Sequence, residues 1–503
     1  MKDILSPLHK IDFESFVGKF RETLESVFGE KQNVQETSIN RGMPGLIMRD
    51  VLDCKPLSVF IPTEYDGRGA DVSECLKVLE TASYYSLPLS LMVGINGALF
   101  LQPLSLYGQE PIKQEAFKNF IENRNMGGLM ITEPKYGSDA LHMQTNYVQT
   151  EKGYRIKGIK HWAGLTGWAD YWLLTARKKN ADGDLSRDID FFVHRKVDNG
   201  IEVEEMYNNL GLYMLPYGRN KINAEVDATS RLEPKSTGVK MMLDILHRSR
   251  LQFPGMGMGF IKRMMDEAID HCEKRLVGGQ SLINYDQVKE RISRMQSYFT
   301  TVSAMCAYTA EKAKMSVDLS RADIQANAIK TIVTDYMQEA AQSLLQLVGA
   351  KGYKLDHIAG RSIVDSRPFQ IFEGSNDILY QQISESVIKA MRRSKITNLF
   401  DYLKTNELSE KSADYLKKVL DFDIDYNLSQ RKLVELGKAI SRVISMNFVI
   451  DLGERGFNSH HIHNSIAQLK QEVNMMIQSY SGKMETVVIA DSGSDSDWRN
   501  FLK

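Results

Sequence analysis

Phe369-Gln-Ile-Phe-Glu-Gly-Ser-Asn-Asp-Ile378 sets an acidic residue, Glu373, between an apolar run and a turn. Phe369, Ile371 and Phe372 supply the apolar approach, and Gly374 lets the backbone bend directly after the carboxylate. Ser375, Asn376 and Asp377 are helix-capping residue types, which predicts a helix starting at Ile378. A carboxylate between an apolar approach and a helix start is open to desolvation. Desolvation raises its pKa and makes it a stronger base. Taken alone the pattern also describes an exposed loop glutamate, so the rest of the chain decides between the two.

The chain has 503 residues, more than one core usually serves, which predicts about two to four domains. Hydrophobic residues at 43% and charged residues at 25% are ordinary for a soluble globular protein. A net charge of -1 gives no general attraction to nucleic acid or to an anionic membrane. Cys54, Cys75, Cys272 and Cys306 are far apart and lack metal-ligand spacing, so no metal site is expected and a reducing, cytoplasmic setting is. The start, Met-Lys-Asp-Ile-Leu-Ser-Pro, lacks the apolar core of a signal peptide. No charge occurs between Glu80 and Glu110, long enough to span a bilayer. Pro88, Gly94, Asn96, Gly97, Gln102 and Pro103 interrupt that run, which predicts buried, broken helices and no stable membrane insertion.

Residues 1–125 read as helical, with Phe13, Phe16, Val17, Phe20 and Leu24 at helical spacing and Asp71 or Ser73 capping a later helix. Residues 126–235 carry strand signals at 146–150, 154–157, 168–176, 190–194, 201–204 and 220–226, a β domain of ordinary size. Helix returns over 236–395, where Met264 and Met265 read as core fillers. Residues 396–503 form a further helical region ending in the acidic, serine-rich Ala490-Asp-Ser-Gly-Ser-Asp-Ser-Asp-Trp498, expected to be mobile. The order helix, sheet, helix gives an α+β fold class.

That order, with four local motifs, resembles the acyl-CoA dehydrogenase family over about residues 10 to 395. The resemblance implies an N-terminal helical domain, a middle β-barrel or sandwich, a C-terminal four-helix bundle and extra C-terminal helices. Ile131-Thr-Glu-Pro-Lys-Tyr-Gly-Ser-Asp139 is similar to the family's Thr-Glu-Pro-x-x-Gly-Ser-Asp signature. It implies that Thr132 faces the pyrimidine side of a flavin and that Ser138 lies between the flavin and the substrate's pantetheine arm. Gly158-Ile-Lys-His-Trp162, then Ala169-Asp-Tyr-Trp-Leu-Leu-Thr-Ala-Arg177, resembles the family's Gly-x-Lys-x-Trp-Ile-Thr-Asn segment and its following strand. Trp162 would pack against the isoalloxazine. Gly164 stands where the family has a flavin-facing threonine, with Thr166 the expected substitute.

His247-Arg-Ser-Arg-Leu-Gln252 and Arg275-Leu-Val-Gly-Gly-Gln280 keep the family's interval between two arginines. The resemblance puts Arg250 near the CoA moiety and Arg275 on the FAD pyrophosphate of a neighbouring subunit, where a guanidinium fork suits phosphate. Gly278 replaces the usual phenylalanine there. Gln346-Leu-Val-Gly-Ala-Lys-Gly-Tyr353 resembles the Gln-x-x-Gly-Gly-x-Gly-Tyr stretch, which implies Gln346, Gly349 and Ala350 on the nucleotide half of FAD. Tyr353, Asp365 and Phe372 are expected to be structural, Ser375 and Asp377 to contact flavin, and Gly374 to lie on the substrate side.

In this setting Glu373 is the expected catalytic base, taking the alpha proton of an acyl thioester while the beta hydride passes to FAD. Its own amide and a ribityl hydroxyl would hold the thioester oxygen. The resemblance further implies a CoA or acyl-carrier-protein substrate in fatty acid metabolism, lining of the acyl pocket by 87–106, an acceptor such as an electron-transfer flavoprotein, and a homodimer or homotetramer. Two other functions stay open: a flavin oxidase on the same fold, and a non-catalytic relative of the alkylation-response type. The latter needs a basic stripe for phosphate, and residues 396–503 have mixed charge.

Overall fold

The computed structural model describes residues 8–30, 42–482 and 497–502, so most of the acidic serine-rich tail lies outside the described residues. Helix α1 (Phe13–Glu25) starts where the Asp12 carboxylate accepts from the Ser15 amide at 2.8 Å, and it buries Phe16, Val17, Phe20 and Leu24. Helices α2 (Gly45–Asp53), α3 (Val72–Tyr85), α4 (Leu87–Asn96), α5 (Gln102–Tyr107) and α6 (Glu110–Glu122) complete the first layer. Asp71 caps α3 by accepting from the Ser73 and Glu74 amides. The charge-free run forms α4, a π-turn and α5. Its 21 residues, Leu87–Tyr107, have the length and hydropathy of a membrane span, yet 83% of the most apolar window is buried inside the protein.

The middle layer is a curled seven-stranded sheet: β1 (Gly127–Met130), β2 (Asn146–Gln149), β3 (Gly153–Gly164), β4 (Tyr171–Lys178), β5 (Asp190–Arg195), β6 (Ile201–Met206) and β7 (Tyr217–Asp227). Its order is β1-β4-β2-β3-β7-β6, with β5 paired to β4. Strand β7 alternates buried and exposed residues, whereas β5 is buried almost throughout. Strand β3 runs seven residues past the segment read from sequence, through Gly158-Ile-Lys-His-Trp162 to Gly164. A bulge between His161 and Ala163 breaks its pairing with β7 at Trp162.

Helices α7 (Gly238–Arg250), α8 (Phe253–Lys274), α9 (Asp286–Lys312), α10 (Asp323–Val348), α11 (Ile358–Ser366) and α12 (Asn376–Ser394) form the bundle. Beyond it come three short helices, then α13 (Gln430–Glu454) and α14 (Ser459–Ser481). These last two are not an appendage. One hydrophobic cluster runs from Phe16 to Tyr480. Gly437 of α13 lies so close to α12 that a Cβ there would sit 2.0 Å from the Tyr380 carbonyl oxygen, so only glycine permits the contact. Tyr308 of α9 stacks on Phe448 of α13 at 4.2 Å between ring centroids.

Candidate active site

Glu373 sits on the turn between a short 3-10 helix (Arg367–Gln370) and α12. The helix begins at Asn376, two residues before the start expected from sequence; Ser375 takes the N-cap position, but its side chain makes no capping bond. Glu373 has φ 54° and Gly374 φ 91°. The left-handed region is costly for a glutamate and persists only where the surroundings enforce it. Two buried cations do so. The Arg250 guanidinium donates to the Glu373 carbonyl at 2.8 and 3.1 Å, and Lys330 Nζ donates to the Gly374 carbonyl at 2.9 Å. Both peptide planes that follow the carboxylate are therefore pinned. A Cβ on Gly374 would lie 2.9 Å from Leu379 Cδ2, which excludes a larger residue without a shift.

The carboxylate itself is held on one side only. Ser249 Oγ donates to Glu373 Oε1 at 2.8 Å, while the buried Oε2 has no hydrogen-bond partner among the described residues. Burial pushes the Glu373 pKa up, and Arg250, the Ser249 hydroxyl and Lys330 restrain that rise. Burial likewise brings the Lys330 ammonium down to about 7 despite the Glu373 charge beside it. Across the site, burial and the charge of Glu373 push the Tyr217 phenol up. Phe253, Phe369 and Phe372 form an aromatic wall with ring centroids 4.9 to 6.2 Å apart. The Glu373 amide makes no hydrogen bond within the described residues. The arrangement is a desolvated, backbone-fixed carboxylate with a free oxygen, suited to accepting a proton from a weak carbon acid.

The end of β3 forms the neighbouring wall. Trp162 lies at the bulge with φ 56° and 52% of its surface exposed, packed against Tyr207 at 4.5 Å. Thr132 receives the His161 amide on its carbonyl at 3.0 Å, and Ser138 is exposed on the loop that follows. That loop is fixed by a buried ion pair. Lys160 Nζ donates to Glu133 Oε1 at 2.9 Å and to the Ile131 carbonyl at 3.0 Å, and Glu133 also accepts from the Gln144 and Thr145 amides. Glu133 is thus structural.

Thr166 does not take the place of the missing threonine. It is fully buried, donates to the Ala163 carbonyl at 2.7 Å and accepts from Asn220 Nδ2 at 3.1 Å, so its hydroxyl is spent inside the sheet. The space at Gly164 is filled instead by Ile95 of α4, whose Cδ1 would lie 2.7 Å from an added Cβ, and by the Tyr217 ring at 3.4 Å.

Arg250 also differs from expectation. The residue is 8% exposed and its guanidinium is bound to the Glu373 carbonyl and, at 2.7 Å, to Asn327 Oδ1, so what it holds is the backbone of the glutamate rather than an open phosphate site. Arg275 is exposed at the C-terminal end of α8. Gly278 (φ 57°) and Gly279 (φ 87°) close a two-residue hairpin behind it, the turn geometry that glycine favours. The ring volume lost at Gly278 is met by Tyr285, whose hydroxyl would lie 2.9 Å from a Cβ there.

Gln346, Gly349 and Ala350 are exposed at the C-terminal end of α10, and Gly349 ends it at φ 72°. Burial and the charges of Arg275 and Lys351 push the His271 pKa down, so the cations gathered here are the arginine and the lysine. No hydrogen bond among the described residues joins this cluster to Glu373. Asp365, buried, accepts from the Leu212 amide at 2.6 Å. Tyr353 is 83% exposed, which corrects its expected structural role, and Asp377 is exposed in the first turn of α12. Ser249, Lys330, Asn327, Lys160 and Tyr217 were not singled out from sequence. Their side-chain hydrogen bonds span 15 to 124 residues, as when Ser249 meets Glu373 124 residues on.

Comparison with known proteins gives the family. Models of the acyl-CoA dehydrogenase N-terminal, middle and C-terminal domains match residues 16–124, 128–224 and 236–388 in that order. An acyl-CoA dehydrogenase of Bacillus subtilis is 23% identical over 340 residues, 66% of this chain and 86% of that protein. The very long-chain specific, mitochondrial enzyme of Rattus norvegicus is 24% identical over 334 residues, of which this chain spans about half that protein's length (51%). The solved acyl-CoA dehydrogenase of Bacillus anthracis, complexed with FAD, shares the fold at TM-score 0.76 and 17% identity, covering 94% of this chain and 89% of that one. Butyryl-CoA dehydrogenase of Megasphaera elsdenii does so at TM-score 0.68 and 18% identity over 75% of this chain and all of that one. By its three domain matches in order, the chain belongs to the acyl-CoA dehydrogenase family, flavin oxidoreductases that act on CH–CH donors.

Proposed function

We propose that this enzyme removes one proton and one hydride from the alpha and beta carbons of a saturated acyl thioester, leaving the trans-2-enoyl thioester. The observation that carries the reading is the Glu373 carboxylate: buried, held at Oε1 by Ser249, unpartnered at Oε2, and set on a backbone pinned by Arg250 and Lys330. FAD is the family's cofactor, and the chain's residues fit it. Trp162 offers an exposed aromatic face beside the site, Ser375 keeps an uncommitted hydroxyl, and Arg275 with Lys351 makes a cationic pair suited to a diphosphate. When bound, FAD accepts the beta hydride.

The chain's own part is to bind, orient and deprotonate. Glu373 takes the alpha proton on Oε2. The Glu373 amide donates to the thioester oxygen as negative charge develops there. Phe253, Phe369 and Phe372 make the approach to the turn apolar, and an apolar setting sustains a carboxylate's basicity. Ser138 and Gly374 lie on the substrate side, and Thr132, Trp162, Ser375 and Asp377 on the flavin side, in this reading. The carrier is CoA or an acyl carrier protein, and the electron acceptor an electron-transfer flavoprotein. The assembly is a homodimer or homotetramer in which Arg275 reaches the neighbour's FAD, and Gln346, Gly349 and Ala350 sit on the nucleotide half of FAD. A reducing, cytoplasmic setting belongs to the same reading.

The test is anaerobic mixing of the FAD-loaded enzyme with saturated acyl-CoA thioesters from short to long. Loss of flavin absorbance with formation of the enoyl thioester supports the reading. Hydrogen peroxide formed with no other acceptor would mark an oxidase instead, and no bleaching with any thioester would sink the dehydrogenase reading.

A further inference from the structure

A buried run of polar side chains leads from α13, beyond the family-matched residues 236–388, to the turn that carries Glu373. Arg442 of α13 donates through Nη1 to the Tyr380 hydroxyl at 3.3 Å, and its Nη2 lies 4.0 Å from Asp335 Oδ2. Tyr380 donates to the same Asp335 oxygen at 2.6 Å. The other Asp335 oxygen accepts from Asn376 Nδ2 and from Gln370 Nε2, each at 2.7 Å. Asn376 Oδ1 then accepts from Lys330 Nζ at 2.9 Å, and Lys330 donates to the Gly374 carbonyl. On the far side Arg442 Nε is bonded to Glu472 of α14 at 2.8 Å, and Glu472 also accepts from Tyr336 and Gln468. Tyr380, Lys330, Asn376, Arg442 and Glu472 are buried and the Asp335 side chain is 19% exposed, so water reaches the run at Asp335 and little elsewhere.

The run has a direction. Asp335 Oδ1 accepts from the amide nitrogen of Asn376, which leaves the amide oxygen to face Lys330. A flipped Asn376 would set its NH2 against the Lys330 ammonium. The Arg442 guanidinium reaches Asp335 through the Tyr380 hydroxyl that both of them bond. We propose that Arg442 is a positioning residue for Glu373, acting through Tyr380, Asp335, Asn376 and Lys330 on the Gly374 carbonyl. This rests on the reading of Glu373 as the base. The helices after residue 395 then belong to the catalytic apparatus and do more than cover the bundle.

The charges that face these groups bear on the test. Lys330 faces Glu373, Arg250 and Asp335. Arg442 faces Asp335, Glu472, Tyr336 and Tyr380, and Glu339 stands beside Glu472, Arg442 and Asp335. Loss of the Arg442 cation would leave Asp335, Glu339 and Glu472 close together without their counter-charge. The Arg442 bonds to Tyr380 and Glu472 would be lost with it.

The full-length, FAD-loaded parent is compared with Arg442→Met, Arg442→Lys and Tyr380→Phe. The first readout is the step in flavin absorbance against pH that Glu373→Gln abolishes. It needs no turnover. We expect that step to move in Arg442→Met and Tyr380→Phe and to return toward the parent in Arg442→Lys. With the acyl-CoA that bleaches the parent, we expect flavin reduction about tenfold slower at saturation, with half-saturation little changed, as for a misplaced catalytic group. Should Arg442→Met fail to fold, Tyr380→Phe decides, since it removes one oxygen atom. A lower melting temperature with an unmoved titration step and an unchanged rate in the flavin-loaded fraction overturns the proposal. A parent that bleaches with no thioester counts against the base reading, and the titration step still decides this one.

Discussion

Ser249→Ala removes the one hydrogen bond that the Glu373 carboxylate makes among the described residues, the 2.8 Å contact from Ser249 Oγ to Oε1. The site is buried, so neither oxygen regains a partner from bulk water. A hydrogen bond to a charged group is worth about 1.5 to 3 kcal/mol. At roughly 1.4 kcal/mol per factor of ten, anaerobic flavin reduction near neutral pH should slow by about ten- to a hundredfold. The sign follows from which form the bond favours. Ser249 stabilises the ionised carboxylate, so its loss moves the Glu373 pKa further in the upward direction that burial already sets. The acid limb of the reduction profile should shift to higher pH, and part of the lost rate should return in alkaline buffer. Ser249→Thr keeps the hydroxyl and should stay close to the parent. Stopped-flow bleaching of the FAD-loaded enzyme across pH provides the measurement. A Ser249→Ala profile that superposes on the parent at every pH would show that Ser249 does not hold the base.

Gly164→Thr forces an added Cβ to within 2.7 Å of Ile95 Cδ1, so it should cost about 1 to 3 kcal/mol of stability as overpacking, read by denaturant melts, and Ile95→Ala in the same chain should recover most of it. Arg275→Ala should weaken FAD retention more than folding; gel filtration with flavin absorbance checks this, and a fully flavin-loaded monomer would refute the shared-cofactor assembly. Glu373→Gln should also change the pH dependence of stability. The folded pKa of Glu373 lies above its unfolded value of 4.5, so folding binds this proton more tightly. Its ionisation therefore costs stability once the pH has risen through the folded pKa, and that cost is absent below 4.5. The variant should melt above the parent in neutral to alkaline buffer and with it near about pH 4. Equal melting at both ends would show that the carboxylate is not desolvated.

The order of layers was legible because long helices announce themselves by buried spacing, as in Phe16, Val17, Phe20 and Leu24 of α1. Strand β3 was read too short. Its final residues carry a bulge at Trp162, and a bulge breaks the two-residue alternation that marks a strand. Helix α12 was placed two residues late because Ser375, Asn376 and Asp377 are all capping types, while the backbone uses Ser375 and buries Asn376 in the polar run. Glu373 was legible from its neighbours in sequence. The groups that make it a base were not: Ser249, Arg250 and Lys330 reach it from two other helices, and only the packed bundle brings them together. Thr166 shows the converse. Proximity in sequence suggested a substitute for the hydroxyl missing at Gly164, but a tight turn directs that side chain into the sheet.

The most direct test of the account is single-turnover flavin reduction by Glu373→Gln, which keeps the size of the side chain and removes its basicity. FAD content and acyl-CoA binding should match the parent, while anaerobic bleaching by the best acyl-CoA should slow by about a hundredfold or more, the scale of general-base catalysis. Bleaching at nearly the parent rate would mean that another group takes the alpha proton, and that the buried, one-sided carboxylate on the α12 turn is not the base.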